Sequence, residues 1–188
     1  MMAGYLEPAG PRVALRHVTW EDEAEFLRLV RASTGLHHPW LQLAATPEEF
    51  GAFMARFDKP VANIGLLACE RATGAIVGGI NINNIVYGRF RSGALGYWAF
   101  APAAGRGYMT EALGLVIGYA FGPLGLHRLE ANIQPANAGS IRVVQRNGFR
   151  NEGYSPHYLF IDGAWRGHER WAITREMAGG DPEPGLDT

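Results

Sequence analysis

Gly105-Arg106-Gly107 lies between a strand-like segment and a strongly apolar helical stretch, and this juncture constrains the chain more than any other feature. Two glycines two positions apart permit a tight turn whose backbone N–H groups converge. The spacing after the turn predicts a helix from Met109 to Phe121. Its apolar residues Leu113, Val116, Ile117, Ala120 and Phe121 fall at i, i+3, i+4, i+7 and i+8, one buried stripe. The strand before the turn, Ala94–Phe100, is stopped by Ala101-Pro102. A helix start exposes unpaired N–H groups and roughly half a positive charge, so such a juncture suits a phosphate. Alone, the same turn serves equally well to let helix and strand pack closely. Two common phosphate loops are excluded: there is no G-x-x-x-x-G-K-[ST], and G-x-G-x-x-G fails at Thr110.

Any anion bound there must be held by local donors, because 17 Lys and Arg nearly balance 18 Asp and Glu. That balance provides no overall field for DNA, RNA or an anionic membrane, and no direct nucleic-acid or membrane partner is expected. A length of 188 residues suits one well-cored domain, expected over 1–177. The tail 178–188, rich in Gly, Pro and acids, is expected to be disordered. Cys69 is the single cysteine; it excludes an internal disulfide, fits a reducing compartment and reads as a small buried hydrophobe. Residues 1–10 lack the pattern of a signal peptide, and no apolar run approaches the roughly 20 residues that span a bilayer. The expectation is a cytoplasmic protein.

Elsewhere the pattern predicts a strand at 12–18 and a helix capped by Thr19, with Asp22 closing an approximate capping box and Phe26, Leu27 and Val30 facing inward. A loop over 33–45 carries His37, His38, Pro39 and Trp40, and a second helix starts at Thr46 with Pro47 and Glu49. Strands at 61–70 and 75–86 form a hairpin through Gly74, and Gly78-Gly79 marks a bulge or a close backbone approach. A strand at 127–134, a helix at 138–147 and a hairpin of 154–161 with 165–174, turning at Asp162-Gly163, complete a mixed α+β chain.

A second element strengthens the phosphate reading. Asn137-Ala138-Gly139-Ser140 opens the helix at 138–147, with Asn137 as cap and Ser140 at the third helical position. If Asn137 caps, Ser140 has no capping duty. A hydroxyl at a helix N-terminus is placed to donate to a thiolate, whose charge the dipole also favours.

With these segments the sequence resembles the GNAT acetyltransferases, in particular the RimJ/RimL branch that acetylates N-terminal residues of ribosomal proteins. The matching stretches are Leu95–Trp98, Gly105–Ala112, Leu126–Arg128, Asn137–Ser140, Gly148-Phe149 and Glu152–Tyr154, with 81–90 and 158–166 most like the RimJ type. The resemblance implies a GNAT fold: a mixed, mostly antiparallel sheet of about seven strands with about four helices, whose strands 93–100 and 127–134 splay to form a slot. It also implies acetyl-CoA as acetyl donor, no metal, direct transfer in a ternary complex, and a primary amine, a protein N-terminus, as acceptor. A small amine or antibiotic acceptor, or a non-catalytic acyl-CoA-binding module, are the competing readings. Either a monomer or a homodimer is compatible.

By the same resemblance the cofactor would meet Gly105, Arg106, Gly107, Tyr108, Met109 and Thr110 at its pyrophosphate. Backbone groups of Trp98 and Phe100, with Asn137 and Ser140, would meet its pantetheine. Ala104 and Met109 depart from the family's loop pattern, which leaves the backbone cradle as the binding device. The position that many relatives fill with a tyrosine acid is Val144, so Ser140 becomes the candidate to protonate the leaving thiolate. Where some relatives carry a glutamate base this chain has Leu159; His157, Glu130 and His168 are the substitutes, or water alone. His37, Trp40, Asn84 and Tyr158 are expected to line the acceptor groove.

Overall fold

The structure, a computed structural model, describes residues 4–58 and 61–180. The elements in chain order are β1 (Val13–His17), α1 (Glu23–Ala32), α2 (Thr34–His37), α3 (Pro47–Ala55), β2 (Ile64–Glu70), β3 (Ile76–Val86), β4 (Ser92–Ala99), α4 (Tyr108–Phe121), β5 (Arg128–Ile133), α5 (Ala138–Arg146), β6 (Arg150–Ile161) and β7 (Ala164–Thr174). The strands form one seven-stranded sheet in the order β1-β2-β3-β4-β5-β7-β6. Every neighbouring pair is antiparallel except β4 with β5. The expected GNAT-type α+β sheet is therefore the one found.

Both faces of the sheet are covered, and this explains β2, whose residues from Ile64 to Cys69 are all buried. A strand covered on both sides reads as a continuous apolar run rather than an alternation. Leu66 and Ala68 face the core built on α4 and α5, while Leu67 and Cys69 face α1 and α3. The second core is aromatic, with Phe26, Phe50, Phe53, Trp98 and Phe100 packed together. Phe26, Leu27 and Val30 are buried in it as the periodicity predicts. Cys69 is buried and free, as expected for a small hydrophobe.

Gly78-Gly79 does both jobs the sequence suggested. The β2–β3 register slips beside Gly78, where Ala68 pairs with Gly78 but Cys69 with Ile76. A Cβ on Gly79 would sit 2.3 Å from the Trp98 ring, and one on Gly78 would sit 2.4 Å from the Trp98 carbonyl oxygen. The missing side chains let Trp98 lie flat across β3.

Several boundaries differ from expectation. The helix after Thr19 begins as a 3-10 turn, Trp20–Asp22, with Asp22 accepting from the Thr19 N–H at 2.8 Å. The expected loop over 33–45 contains the short α2, so five α-helices replace about four. The strand predicted from Tyr154 starts at Arg150. Ala178–Gly180, placed in the disordered tail, form a turn in which the Gly180 N–H donates to the Arg175 carbonyl at 3.0 Å. The remainder of that tail, 181–188, lies outside the described residues, as do 1–3 at the other end. Among the described residues no helix is long and apolar enough to cross a membrane.

Candidate functional site

β4 and β5 run side by side only from Ser92 opposite Arg128 to Leu95 opposite Ala131. Beyond that point β4 stays with β3 as far as Ala99, and β5 stays with β7 as far as Ile133. The two strands diverge, and the gap opens into a cavity of about 430 Å³ bordered by Gly96, Tyr97, Asn132, Asn137, Ser140 and residues of β6 and β7. The start of α5, with Asn137 and Ser140, borders the cavity, and the glycine turn that opens α4 follows the end of β4 in the chain.

The glycine turn is built as its sequence suggests. Gly105 and Gly107 have φ of +75° and +81°, where a side chain is strained. Gly107 is the N-cap of α4, and no side chain caps that end. Its N–H groups and dipole are available to an anion. Most side chains around the turn are engaged within the protein. Arg106 lies 3.8 Å from the Glu70 carboxylate and stacks over the Tyr108 ring at 4.9 Å. Tyr108 is buried and donates to Glu70, Met109 is buried with its Sδ beside Gly78, and the Thr110 carbonyl accepts from Asn147 of α5 at 3.1 Å. The backbone of the turn and the exposed Arg106 side chain face outward.

Arg12 and Glu111 stiffen the same turn, a contribution the sequence reading missed. Glu111 accepts from the backbone N–H groups of Arg12 and Val13, both at 2.8 Å, and from the Arg12 guanidinium at 3.0 Å. Burial alone would raise the Glu111 carboxyl, but these donors hold it below its ordinary value. Arg12 also donates to the Arg106 carbonyl at 3.1 Å, tying β1 to the turn.

At the α5 start, Asn137 is the cap, its side chain accepting from the Ser140 N–H at 3.1 Å. The Ser140 hydroxyl donates to the Tyr97 hydroxyl at 2.6 Å, and the Tyr97 hydroxyl donates to the Ser140 carbonyl at 3.0 Å. Burial pushes the Tyr97 phenol up from its ordinary value, only partly opposed by the Ser140 bond, so it stays protonated at neutral pH. Tyr97 was the signal to follow: a buried tyrosine needs a partner for its hydroxyl. Val144, at the position of the missing tyrosine acid, is fully buried.

Trp98 and Phe100 need correction as cofactor contacts. The Phe100 N–H donates to the Val77 carbonyl at 3.0 Å and its carbonyl accepts from Ala103 at 2.9 Å. The Trp98 carbonyl lies against Gly78 of β3. Alternation along a strand then turns the backbone groups of Tyr97 and Ala99, not those of Trp98 and Phe100, toward the gap. The Trp98 and Phe100 side chains belong to the aromatic core.

Of the expected acceptor residues, Trp40, Asn84 and Tyr158 border the cavity. His37 does not. It is buried, with Nε2 2.8 Å from the Ala99 carbonyl and its ring 6.2 Å from that of Phe100. The exposed-looking histidine thus braces α2 against β4. Two of the candidate bases also fall away from the cavity. His157 is exposed, with φ of +49° in the irregular stretch of β6. Glu130 is locked between Arg128 at 2.9 Å and Arg170 at 3.0 Å. The third, His168, does border the cavity, as do Arg56 and Asn132, which the sequence did not single out. Asn132 turns a buried side-chain oxygen with no partner among the described residues.

This geometry has counterparts among known proteins. Residues 12–150 match the family model of the acetyltransferase (GNAT) domain. The chain is 41% identical over 99 residues to [ribosomal protein uS5]-alanine N-acetyltransferase of Escherichia coli, covering 53% of this chain and 51% of that protein. It is 39% identical over 98 residues to the probable N-acetyltransferase YjcK of Bacillus subtilis, covering 52% and 54%. The chain thus spans about half the length of the curated relatives it matches. The solved structure of Mycobacterium smegmatis RimJ in complex with CoA-disulfide superposes with a TM-score of 0.80 at 30% identity, over 87% of this chain and 82% of that one.

Proposed function

The chain belongs to the GNAT acetyltransferase family, and from that premise we propose that it transfers the acetyl group of acetyl-CoA to the N-terminal amine of a protein, of the kind ribosomal-protein acetyltransferases modify. The observation that carries the reading is the divergence of β4 from β5 past Leu95 and Ala131, with the α5 N-terminus at its edge and the uncapped α4 N-terminus following β4 in the chain.

The residues fit coenzyme A. The backbone of Gly105–Thr110 offers an uncapped helix start to a pyrophosphate. The unpartnered Asn132 oxygen borders the gap where a pantetheine amide would need an acceptor. Bound there, acetyl-CoA supplies an activated acetyl thioester. The N–H groups of Tyr97 and Ala99 line the gap on the β4 side, and Ser140 stands at the α5 start with its hydroxyl held by Tyr97. Turned from Tyr97, the hydroxyl would give its one proton to a sulfur that is taking on negative charge, a charge the helix dipole also favours.

The cavity lining distinguishes acceptors. Among the described residues it contains no Asp or Glu, and Arg56, 2.6 Å from the Asn83 oxygen, is its arginine. A polyamine carries several positive charges that need carboxylates, whereas an N-terminal amine brings one charge and a chain of amides. Asn83, Asn84 and Tyr158 offer partners for such a chain.

The test is free-thiol release with acetyl-CoA and a panel of Ala-, Ser- and Met-starting peptides, spermidine and small aromatic amines. Thiol release with at least one peptide class and none with spermidine is expected. Release from no acceptor, with coenzyme A still bound, would overturn catalysis in favour of a binding module; preference for spermidine would overturn the acceptor. The cradle is tested separately. Gly107→Ala puts a side chain at φ +81°, which pushes the turn out of the left-handed shape that converges its N–H groups, so coenzyme A affinity should fall roughly tenfold by calorimetry. Unchanged affinity would show that the turn does not hold the pyrophosphate.

A further inference from the structure

The last strand sets one more competent group at the cavity. His168 lies on β7 opposite Ser155 of β6 and is only 2% exposed, yet it borders the cavity. Its Nδ1 is 3.0 Å from the Arg166 carbonyl oxygen. A carbonyl can only accept, so the neutral ring carries its proton on Nδ1 and presents a lone pair at Nε2. No hydrogen bond engages Nε2 among the described residues.

We infer that His168 is the general base of the reaction, its Nε2 taking a proton from the acceptor's ammonium group before the amine attacks. The inference rests on the transfer reading above and names the residue that reading left open. The other candidates are displaced: Glu130 by its two arginines, His157 by its position outside the cavity.

The surroundings suit the role. From β6 the Tyr158 ring packs 5.9 Å from the imidazole, and Ser155 lies opposite in the register. From β7 come the Arg166 carbonyl and Arg170, which stacks over Tyr158 at 4.8 Å and pairs with Glu130 of β5 at 3.0 Å. Among the described residues no carboxylate borders the cavity to hold the imidazolium. Burial therefore dominates and pushes His168 below its ordinary 6.5, with the Arg166 carbonyl opposing weakly. The ring is neutral at pH 7 and able to accept.

The protons balance. One passes from the ammonium to Nε2. As the N–C bond forms and the C–S bond breaks, the departing sulfur takes the Ser140 proton, which the nitrogen's second proton replaces. His168 then returns its own to solvent, so one proton is released per amide formed.

His168→Gln, read with an alanine-starting peptide at saturating acetyl-CoA, is expected to lose about 100-fold in kcat/KM at pH 7. Its acidic limb should shift from below 6.5 in the parent protein toward about 8, where the amine deprotonates by itself. Coenzyme A affinity should be unchanged and the protein should stay folded by circular dichroism at the assay temperature, and added imidazole should restore part of the activity of His168→Ala. A parent-like rate and pH profile in His168→Gln would overturn the assignment. An acceptor-free check is nitrogen NMR of the intact protein at pH 7, where an Nδ1–H tautomer is expected and an Nε2–H tautomer would overturn it. If the parent protein acetylates no peptide, the transfer reading fails by itself, and the tautomer still decides whether Nε2 is an acceptor.

Discussion

Replacing Phe26 with alanine is expected to destabilise the protein by about 3–5 kcal/mol, the range for removing a buried aromatic ring. Phe26 has no exposed surface and sits at the centre of an aromatic cluster. Its ring centroid lies 5.3 Å from both Phe50 and Phe53, 5.8 Å from Phe100 and 6.2 Å from Trp98. The neighbours cannot close in easily. Trp98 is fixed across Gly79, and Phe100 is pinned by its bonds to Val77 and Ala103. The cavity would stay largely open, which places the cost at the upper part of the range. In urea unfolding the midpoint should fall at unchanged slope, and Phe26→Leu should recover much of the loss. A cost below about 1 kcal/mol, ordinary for a surface change, would mean that α1 does not brace β4 as described. The brace matters because β4 is one wall of the gap.

What could be read from the sequence was whatever follows from local spacing. The Gly105–Gly107 turn, the α4 stripe, the Thr46 and Asn137 caps and the Phe26 face all depend on residues within a turn or two of each other. Each stands where periodicity or cap chemistry puts it. The errors share a different cause. His37 looked exposed because its own segment is polar, and only the Ala99 carbonyl, distant in the chain, explains its burial. Trp98 and Phe100 fell on the wrong side of β4 because the side that each backbone group faces depends on pairing with β3. Tyr97 and His168 acquire their places only from Ser140 and Arg166.

Ser140→Ala should lower kcat about 100-fold while leaving acetyl-CoA affinity nearly unchanged, at the low end of the range for loss of a proton donor. Alanine keeps the N–H that Asn137 accepts, so the α5 cap survives. What is lost is the hydroxyl between the gap and Tyr97. Tyr97→Phe removes the other partner and frees the serine to turn away, so kcat should fall about tenfold for this positioning contact. The two hydroxyls are bonded to each other, and residues acting as a unit give non-additive losses. The double variant should accordingly be no slower than Ser140→Ala alone. Losses that multiply would mean the hydroxyls act separately, and the Tyr97 bond would then be structural. Equal loss of turnover and affinity in Ser140→Ala would mean that Ser140 only shapes the cofactor's seat, leaving water to protonate the sulfur. The comparison is informative because Val144, one turn on in α5, offers no alternative: it is buried and aliphatic.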